Sequence, residues 1–386
     1  MNESGQESRR CGEEDMKRAT STLVVATALA AALAAAHARA HGPNDPPHQL
    51  YPIGDLKLES GEAIKDFAIS YVTHGKLNEK KSNAILMVTA ISGNHHRIDF
   101  LIGPGKALDS DKYFIVATDA IGNGLTTSPS NSKSQYGTAF PHFTIRDMVQ
   151  SEWLLMQHLE IQHVVAVAGA SMGGMQTLQW GVSHPDYMDA LVALTPMART
   201  TAWSIAVNEA TRKALMADAA FANGTYERQP EKGWRARADV LNVLATHTPE
   251  GIDSMFANPL DVIPWIDAQE NAVLKVGFDA NDWIAQTWAY DRHNVGDTPG
   301  FNGDYLKALG GIKAKALLLN APGDLYNPTD QAIEAAKYIP DARYVQLPSL
   351  QGHTAGSAAK AADVEIMNRS VRDFLDAVTD AGRKLL

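Results

Sequence analysis

The sequence predicts an α/β fold: a mostly parallel sheet flanked by helices, with a helical lid inserted between two of its strands. Three observations carry this. Short apolar runs bounded by turn residues recur along the chain, with helical segments between them. Such alternation is the pattern of strands buried on both faces. Between about 198 and 308 the strand-like runs vanish and amphipathic helical stretches replace them. Finally, a strand, a G-x-S-x-G turn and a helix follow one another between Val164 and Val182.

The elements follow in order. Strands are expected at 84–90, 113–118, 164–168, 190–194, 316–320 and 343–347. A helix is expected over 145–159, with Thr144 as its N-cap. The domain organisation is then a leader over 1–40, a first core part over 41–197, the lid over 198–308 and a second core part over 309–386. Five of the seven tryptophans (Trp203, Trp234, Trp265, Trp283 and Trp288) fall in the lid. They either line an acyl or alcohol pocket or pack the insertion itself.

The first forty residues read as a secretory leader. Met16-Lys17-Arg18 is a basic start, 23–36 is apolar apart from Thr27, and Ala38-Arg39-Ala40 is an A-x-A cleavage site. The stretch before Met16 is acidic, so Met16 is an alternative start. The apolar core is short of the roughly 20 residues a membrane span needs. This reading predicts export to the periplasm or medium, with cleavage near Ala40 and no stable membrane anchor. Cys11 is the only cysteine, so past the leader no disulfide, thiolate nucleophile or cysteine metal site is available.

The formal net charge is −10, and no basic block is present. That excludes nucleic acid as an expected partner, because phosphate binding needs a positive patch. Gly103-Pro104-Gly105-Lys106 lacks the upstream glycine and following hydroxyl of a phosphate loop. The adjacent His95-His96 pair cannot share one helical ligand face, and no metal is expected. Gly169 to Gly174 lacks the order of a dinucleotide site, and no cofactor is expected.

The strand–turn–helix around Gly169-Ala170-Ser171-Met172-Gly173 is the nucleophile elbow of the α/β-hydrolase fold. The sharp turn exposes the Ser171 hydroxyl, and side chains at 169 and 173 would strike neighbouring backbone. A serine hydroxyl needs a base to take its proton and an acid to orient the base. In this fold the acid and then the histidine follow the serine in the chain. Asp324 stands in the turn after the 316–320 strand, and His353 in the loop after the 343–347 strand. Asp330 is a second candidate acid, but it falls where the next helix begins. The oxyanion needs two preorganised donors. The Met172 N–H is one; the Ile91 N–H, in the loop after an early strand, is the other.

Several blocks now resemble the homoserine O-acetyltransferase family. They are Thr89 to Gly93, Ile102 to Asp109, Phe140-Pro141 with Thr144 to Val149, Ser171 to Gln176, and Phe278 to Asn281. The resemblance covers about 84–356 and implies a Ser171–Asp324–His353 triad, a helical lid and a homodimer built through that lid. In the family an acetyl group passes from acetyl-CoA to the serine and then to the hydroxyl of homoserine. The family usually places an aspartate after the catalytic histidine to hold the substrate ammonium; Thr354 stands there in this chain. The family's G-S-T-G-P loop is altered to Gly122 to Pro129. Asn208 to Arg212 resembles the lid segment whose arginine contacts the homoserine carboxylate, which makes Arg212 a substrate-binding candidate beside Thr354.

A leader and an uncharged residue at 354 both point to water as the second nucleophile. The expectation is therefore an exported ester hydrolase acting on a small ester or acyl donor. A CoA-dependent O-acyltransferase is the alternative, and a non-catalytic binding protein on this scaffold is the third reading.

Overall fold

The computed structural model describes residues 47–383. The leader, its cleavage site and Cys11 lie outside the described residues. Eight strands form one sheet: β1 (Gln49–Lys57), β2 (Ala63–His74), β3 (Ala84–Val88), β4 (Phe114–Thr118), β5 (Val164–Ala170), β6 (Met188–Leu194), β7 (Lys315–Asn320) and β8 (Ala342–Gln346). Their order is β1-β2-β4-β3-β5-β6-β7-β8. The pairs β1–β2 and β2–β4 are antiparallel, and every other neighbouring pair is parallel.

The central strands read AILMV, VVAVAGA and KALLLN, apolar at nearly every position because helices cover both faces. The sheet holds β1 and β2 besides the six strands expected. Their sequences conceal them: β1 is an edge strand with half its side chains in water, and Pro52 and Gly54 break its register against β2. The first expected strand stops at Val88, where the chain turns into the loop toward Gly93.

The helices are α1 (Ile145–His158), α2 (Met172–Ser183), α3 (Ala202–Met216), α4 (Glu231–Leu241), α5 (Pro249–Asp253), α6 (Val262–Val276), α7 (Ala280–Asp291), α8 (Tyr305–Gly310), α9 (Thr329–Tyr338) and α10 (Ala361–Arg383). Thr144 caps α1 in a capping box: its hydroxyl accepts from the Asp147 N–H, and the Asp147 carboxylate accepts from the Thr144 N–H. Asp330 lies in the first turn of α9, a helix-start position and not a partner of a histidine.

Everything between β6 and β7 is helical or irregular. Val295, Ala308, Leu309 and Ile312 in its last part pack into the main core beside the sheet. Helices α3, α4 and α7 instead contribute to a small separate core of Leu215, Phe221, Trp234, Ala280 and Trp283. Trp234 and Trp283 thus pack the insertion, whereas Trp203 is 47% exposed. No helix among the described residues is long and apolar enough to cross a membrane.

Register sets what the sheet presents. Val88 pairs with Gly169, Ala170 with Leu194, Leu194 with Leu319, and Asn320 with Gln346. The carboxyl ends of five parallel strands are therefore level, and the loops leaving them meet at one edge. Ligands of open α/β sheets bind outside that edge.

Candidate active site

Ser171 occupies the one-residue turn between β5 and α2. It has φ 58° and ψ −122°, a conformation costly for a residue with a Cβ. The surroundings enforce it. A Cβ on Gly173 would lie 2.5 Å from the Val88 carbonyl oxygen, and one on Gly169 would lie 2.5 Å from the Gly173 carbonyl oxygen. The helix can thus begin hard against the ends of β3 and β5 only with glycine at both positions. The Ser171 N–H donates to the Leu194 carbonyl at 2.9 Å and to Thr195 Oγ1 at 3.2 Å, which ties the elbow to the end of β6.

The structure brings Ser171, His353 and Asp324 together. His353 Nε2 lies 2.8 Å from Ser171 Oγ. Its Nδ1 lies 2.9 Å from Asp324 Oδ2 and 3.1 Å from Oδ1. With Asp324 as the acceptor, Nδ1–H donates to it and Nε2 is left to accept from the serine hydroxyl. Asp324 Oδ1 also accepts the backbone N–H groups of Tyr326 and Asn327, at 3.0 and 2.9 Å. These two bonds fix the carboxylate independently of the histidine. Ser171, Asp324 and His353 are 2%, 2% and 6% exposed. The Tyr326 ring and the imidazole pack nearly perpendicular, their centroids 5.1 Å apart.

Met172 N–H is the first amide of α2, and Ile91 N–H sits in the loop after β3. Among the described residues neither donates to a protein acceptor. The loop carrying Ile91 is pinned from three sides. Gln176 Nε2 on α2 donates to the Thr89 carbonyl at 2.7 Å, and Asn123 Nδ2 donates to the Gly93 carbonyl at 3.1 Å. Gln286 on α7 accepts from the Ser92 N–H at 2.9 Å and donates to the Ile121 carbonyl at 3.1 Å.

The two substrate-contact candidates are placed differently from one another. Thr354 follows His353, but its hydroxyl donates to the Gln351 carbonyl at 2.8 Å and closes its own turn. Arg212 is 1% exposed and already paired. One terminal nitrogen lies 2.7 Å from Asp291 Oδ2 and 2.9 Å from Glu209 Oε2, and the guanidinium lies 4.2 Å over the Trp288 ring. Burial raises the Asp291 pKa, while its bonds to Asn208 and Arg212 oppose the rise. Asn208 also accepts from the Tyr326 hydroxyl at 2.7 Å, so the Arg212 pair is linked to the ring against His353.

Sequence reasoning missed Gln176, Gln286, Tyr326 and Asn208, because each acts through a partner distant in the chain. It also missed a trio of two buried residues and one half-buried residue. Ligand-type atoms of His48, His95 and Asp119 lie within 4.8 Å of one another. Asp119 is engaged by protein donors: Oδ1 accepts from the His95 N–H and Asn123 Nδ2, each at 2.9 Å, and Oδ2 accepts from His95 Nδ1 and Ser70 Oγ. The trio reads as a hydrogen-bonded core network that anchors the loop beside Asn123.

With this geometry in hand, comparisons with known proteins place the chain. A family profile described as alpha/beta hydrolase fold matches residues 83–355. A homoserine O-acetyltransferase of Trichormus variabilis is 34% identical over 316 residues, covering 78% of this chain and 87% of the relative. One from Methanosalsum zhilinae is 35% identical over 337 residues, covering 78% of this chain and 68% of the relative. Among solved structures, the acetyl esterase MekB superposes with a TM-score of 0.80 at 29% identity, covering 86% of this chain and 98% of its own. Homoserine O-acetyltransferase from Bacillus anthracis superposes with a TM-score of 0.75 at 24% identity, covering 85% and 97%, and speaks for the fold alone.

The curated relatives correct the expectation of an exported ester hydrolase. Relatives at 31–35% identity over most of the chain are homoserine O-acetyltransferases. The uncharged Thr354 was too little to set against similarity of that extent, and the leader behind the export argument lies outside the described residues. An α/β-hydrolase scaffold of this kind makes the protein a serine esterase or O-acyltransferase, and by the extent of its similarity the chain belongs to the homoserine O-acetyltransferase family.

Proposed function

We propose that the protein is an O-acetyltransferase that carries an acetyl group from acetyl-CoA, through Ser171, to the hydroxyl of L-homoserine. The observation that supports this most is the similarity to homoserine O-acetyltransferases over 78% of the chain at 34–35% identity. The Ser171–His353–Asp324 hydrogen-bond chain is its chemical counterpart.

In the first half-reaction His353 Nε2 takes the Ser171 proton while Oγ attacks the thioester carbonyl. Asp324 holds the imidazole in the required tautomer and stabilises the imidazolium. The Met172 and Ile91 N–H groups receive the tetrahedral oxyanion. The C–S bond then breaks, and His353 gives its proton to the departing CoA sulfur. The second half runs in reverse order: His353 takes the homoserine hydroxyl proton, the alkoxide attacks acetyl-Ser171, and Ser171 leaves with the proton returned to it.

The test is steady-state CoA release from acetyl-CoA by purified protein, with and without L-homoserine, and with p-nitrophenyl acetate alone as a comparison. Homoserine-dependent CoA release that is lost in Ser171→Ala supports the reading. Rapid p-nitrophenyl acetate turnover with no use of acetyl-CoA overturns it.

A further inference from the structure

Asn327 is fully buried, and each of its four polar groups bonds to a different part of the molecule. Its backbone N–H donates to Asp324 Oδ1 at 2.9 Å, and its carbonyl accepts from Asn320 Nδ2, at the end of β7, at 3.1 Å. Its side-chain Nδ2 donates to the Thr195 carbonyl at 2.5 Å, and its Oδ1 accepts from the Tyr290 hydroxyl. Burial first, and then Tyr326, Asp324 and Asp291, push the Tyr290 pKa up, so the phenol keeps its proton and donates. Thr195 is itself a meeting point. It has φ 45°, a left-handed conformation costly for a β-branched residue. Its Oγ1 accepts from the Ser171 N–H at 3.2 Å. The segment Gly352–Ser357, which carries His353, packs on it: a Cβ added to Gly356 would lie 2.9 Å from Thr195 Cγ2.

We propose that Asn327 is the positioning residue of the triad's acid: its side-chain amide fixes Asp324 relative to Ser171 and His353 through Thr195, and Tyr290 of the insertion holds that amide in place. The proposal rests on the triad reading of these three residues, and it holds whichever nucleophile deacylates the serine. The N–H groups of Tyr326 and Asn327 that bind Asp324 belong to its own turn and move with it. They orient the carboxylate within the turn but do not set where the turn stands. The bond from Asn327 Nδ2 to Thr195 does, because it ends on a residue that the serine and histidine segments also touch. Were position 327 needed only to fill space, leucine would fill it with no polar bonds to satisfy. Tyr290 adds the insertion to this arrangement. It lies four residues after Gln286 on α7, so the two share a helix face. One face of α7 thus reaches the oxyanion loop through Gln286 and the acid turn through Tyr290.

The experiment compares Asn327→Leu, Tyr290→Phe and the double variant with wild type, all as the full chain. Acylation rate and apparent KM are read from the p-nitrophenol burst with p-nitrophenyl acetate, at a temperature where thermal unfolding shows each protein folded. Asn327→Leu should acylate about 10- to 100-fold more slowly with KM within about twofold, since a displaced catalytic group slows the chemical step and leaves ground-state binding alone. Tyr290→Phe, which removes one of the two side-chain bonds, should lose about 3- to 10-fold. The double variant should be no slower than Asn327→Leu, because Tyr290 acts through Asn327. Proton NMR supplies a readout that a merely structural role would not move. The low-field resonance of the His353 Nδ1–H bonded to Asp324 should shift or broaden in Asn327→Leu. A folded Asn327→Leu with wild-type acylation and an unmoved resonance overturns the proposal. Losses that multiply in the double variant overturn the part given to Tyr290. Should Asn327→Leu fail to fold, the rate and resonance of Tyr290→Phe decide in the same way. A burst that survives Ser171→Ala would remove the triad reading itself, and absence of homoserine-dependent CoA release would count against the transferase reading alone.

Discussion

Gln286→Leu tests whether the helical insertion holds the oxyanion site in place. Gln286 is 1% exposed, and its amide bridges two loops: it accepts from the Ser92 N–H at 2.9 Å and donates to the Ile121 carbonyl at 3.1 Å. Leucine fills a similar volume and can make neither bond. Each buried group left without a partner costs about 1–3 kcal/mol, so the variant loses roughly 2–6 kcal/mol of stability before any relaxation. The effect on chemistry is separable. Ser92 has φ 55°, a left-handed conformation unusual for serine, and its neighbour Ile91 carries the N–H proposed as an oxyanion donor. Removing such a donor outright costs about 100- to 1000-fold in kcat, so a donor merely released from its anchor loses about 10- to 100-fold. The assay is the pre-steady-state burst of p-nitrophenol from p-nitrophenyl acetate, read as acylation rate and apparent KM at a temperature where the variant is folded. A fall in acylation rate with KM within about twofold is expected, because the oxyanion forms only in the transition state. Gln286→Glu, which keeps the acceptor for Ser92, falls between the two. A folded Gln286→Leu that acylates at the wild-type rate would refute the reasoning.

Three further outcomes follow from single sites. Gly173→Ala places a Cβ 2.5 Å from the Val88 carbonyl oxygen, so it costs about 1–3 kcal/mol in urea unfolding and slows acylation by moving the elbow; wild-type stability and rate would contradict this. Glu152 is buried against Trp180 Nε1 and Thr118, and burial pushes its pKa from 4.5 up to about 8. The folded chain therefore keeps a proton that the unfolded chain releases, and this site's contribution to stability falls as pH rises from about 4.5 to 8. The full window is worth at most about 5 kcal/mol at 1.36 kcal/mol per unit. Half-buried His184 and buried His293, with pKa values pushed down by burial to about 4 and 3, add stability as pH rises over the acid side. The diagnostic quantity is thus the difference between wild type and Glu152→Gln: the variant gains relative stability from pH 5 to pH 8, and parallel pH profiles would count against the assignment. Thr354→Asp restores a charge where the family resemblance places the partner of the substrate ammonium. It should lower the KM for L-homoserine about tenfold, the scale of one charged hydrogen bond, while the KM for an acceptor without an amine stays put.

How much of this was legible depended on where the physical cause sat. The central strands could be read because burial on both faces forces continuous apolar runs. Strand β1 could not, because an edge strand satisfies no such rule and Gly54 shifts its register; β2, inside the sheet, mixes exposed Lys65 and Asp66 with its buried positions and so shows no continuous apolar run. Ser171, Asp324 and His353 could be placed because each follows a readable strand in a fixed chain order. Their meeting depends on strand register, which local sequence does not carry. Gln286 and Asn208 sit on helices that read only as amphipathic. What gives them meaning is a partner distant in the chain: Ser92 for Gln286 and Asp291 for Asn208.

That contrast bears on the acceptor. Attack on acetyl-Ser171 by water and by an alcohol share the triad, the oxyanion donors and the acyl-enzyme, so no feature of the elbow distinguishes them. The distinction has to come from groups that hold an alcohol in line with the acyl carbon while the triad is nearly closed to solvent, its members being 2%, 2% and 6% exposed. A well-oriented bound nucleophile acts at an effective concentration on the order of 10⁵ M or more, which ordinary water cannot match without orientation. Binding energy from a remote carboxylate is a suitable source of that orientation, since it is made before the reaction and far from the reacting atoms. Under the proposed transfer reaction, that orientation has to come from groups beyond the triad and the residue after His353.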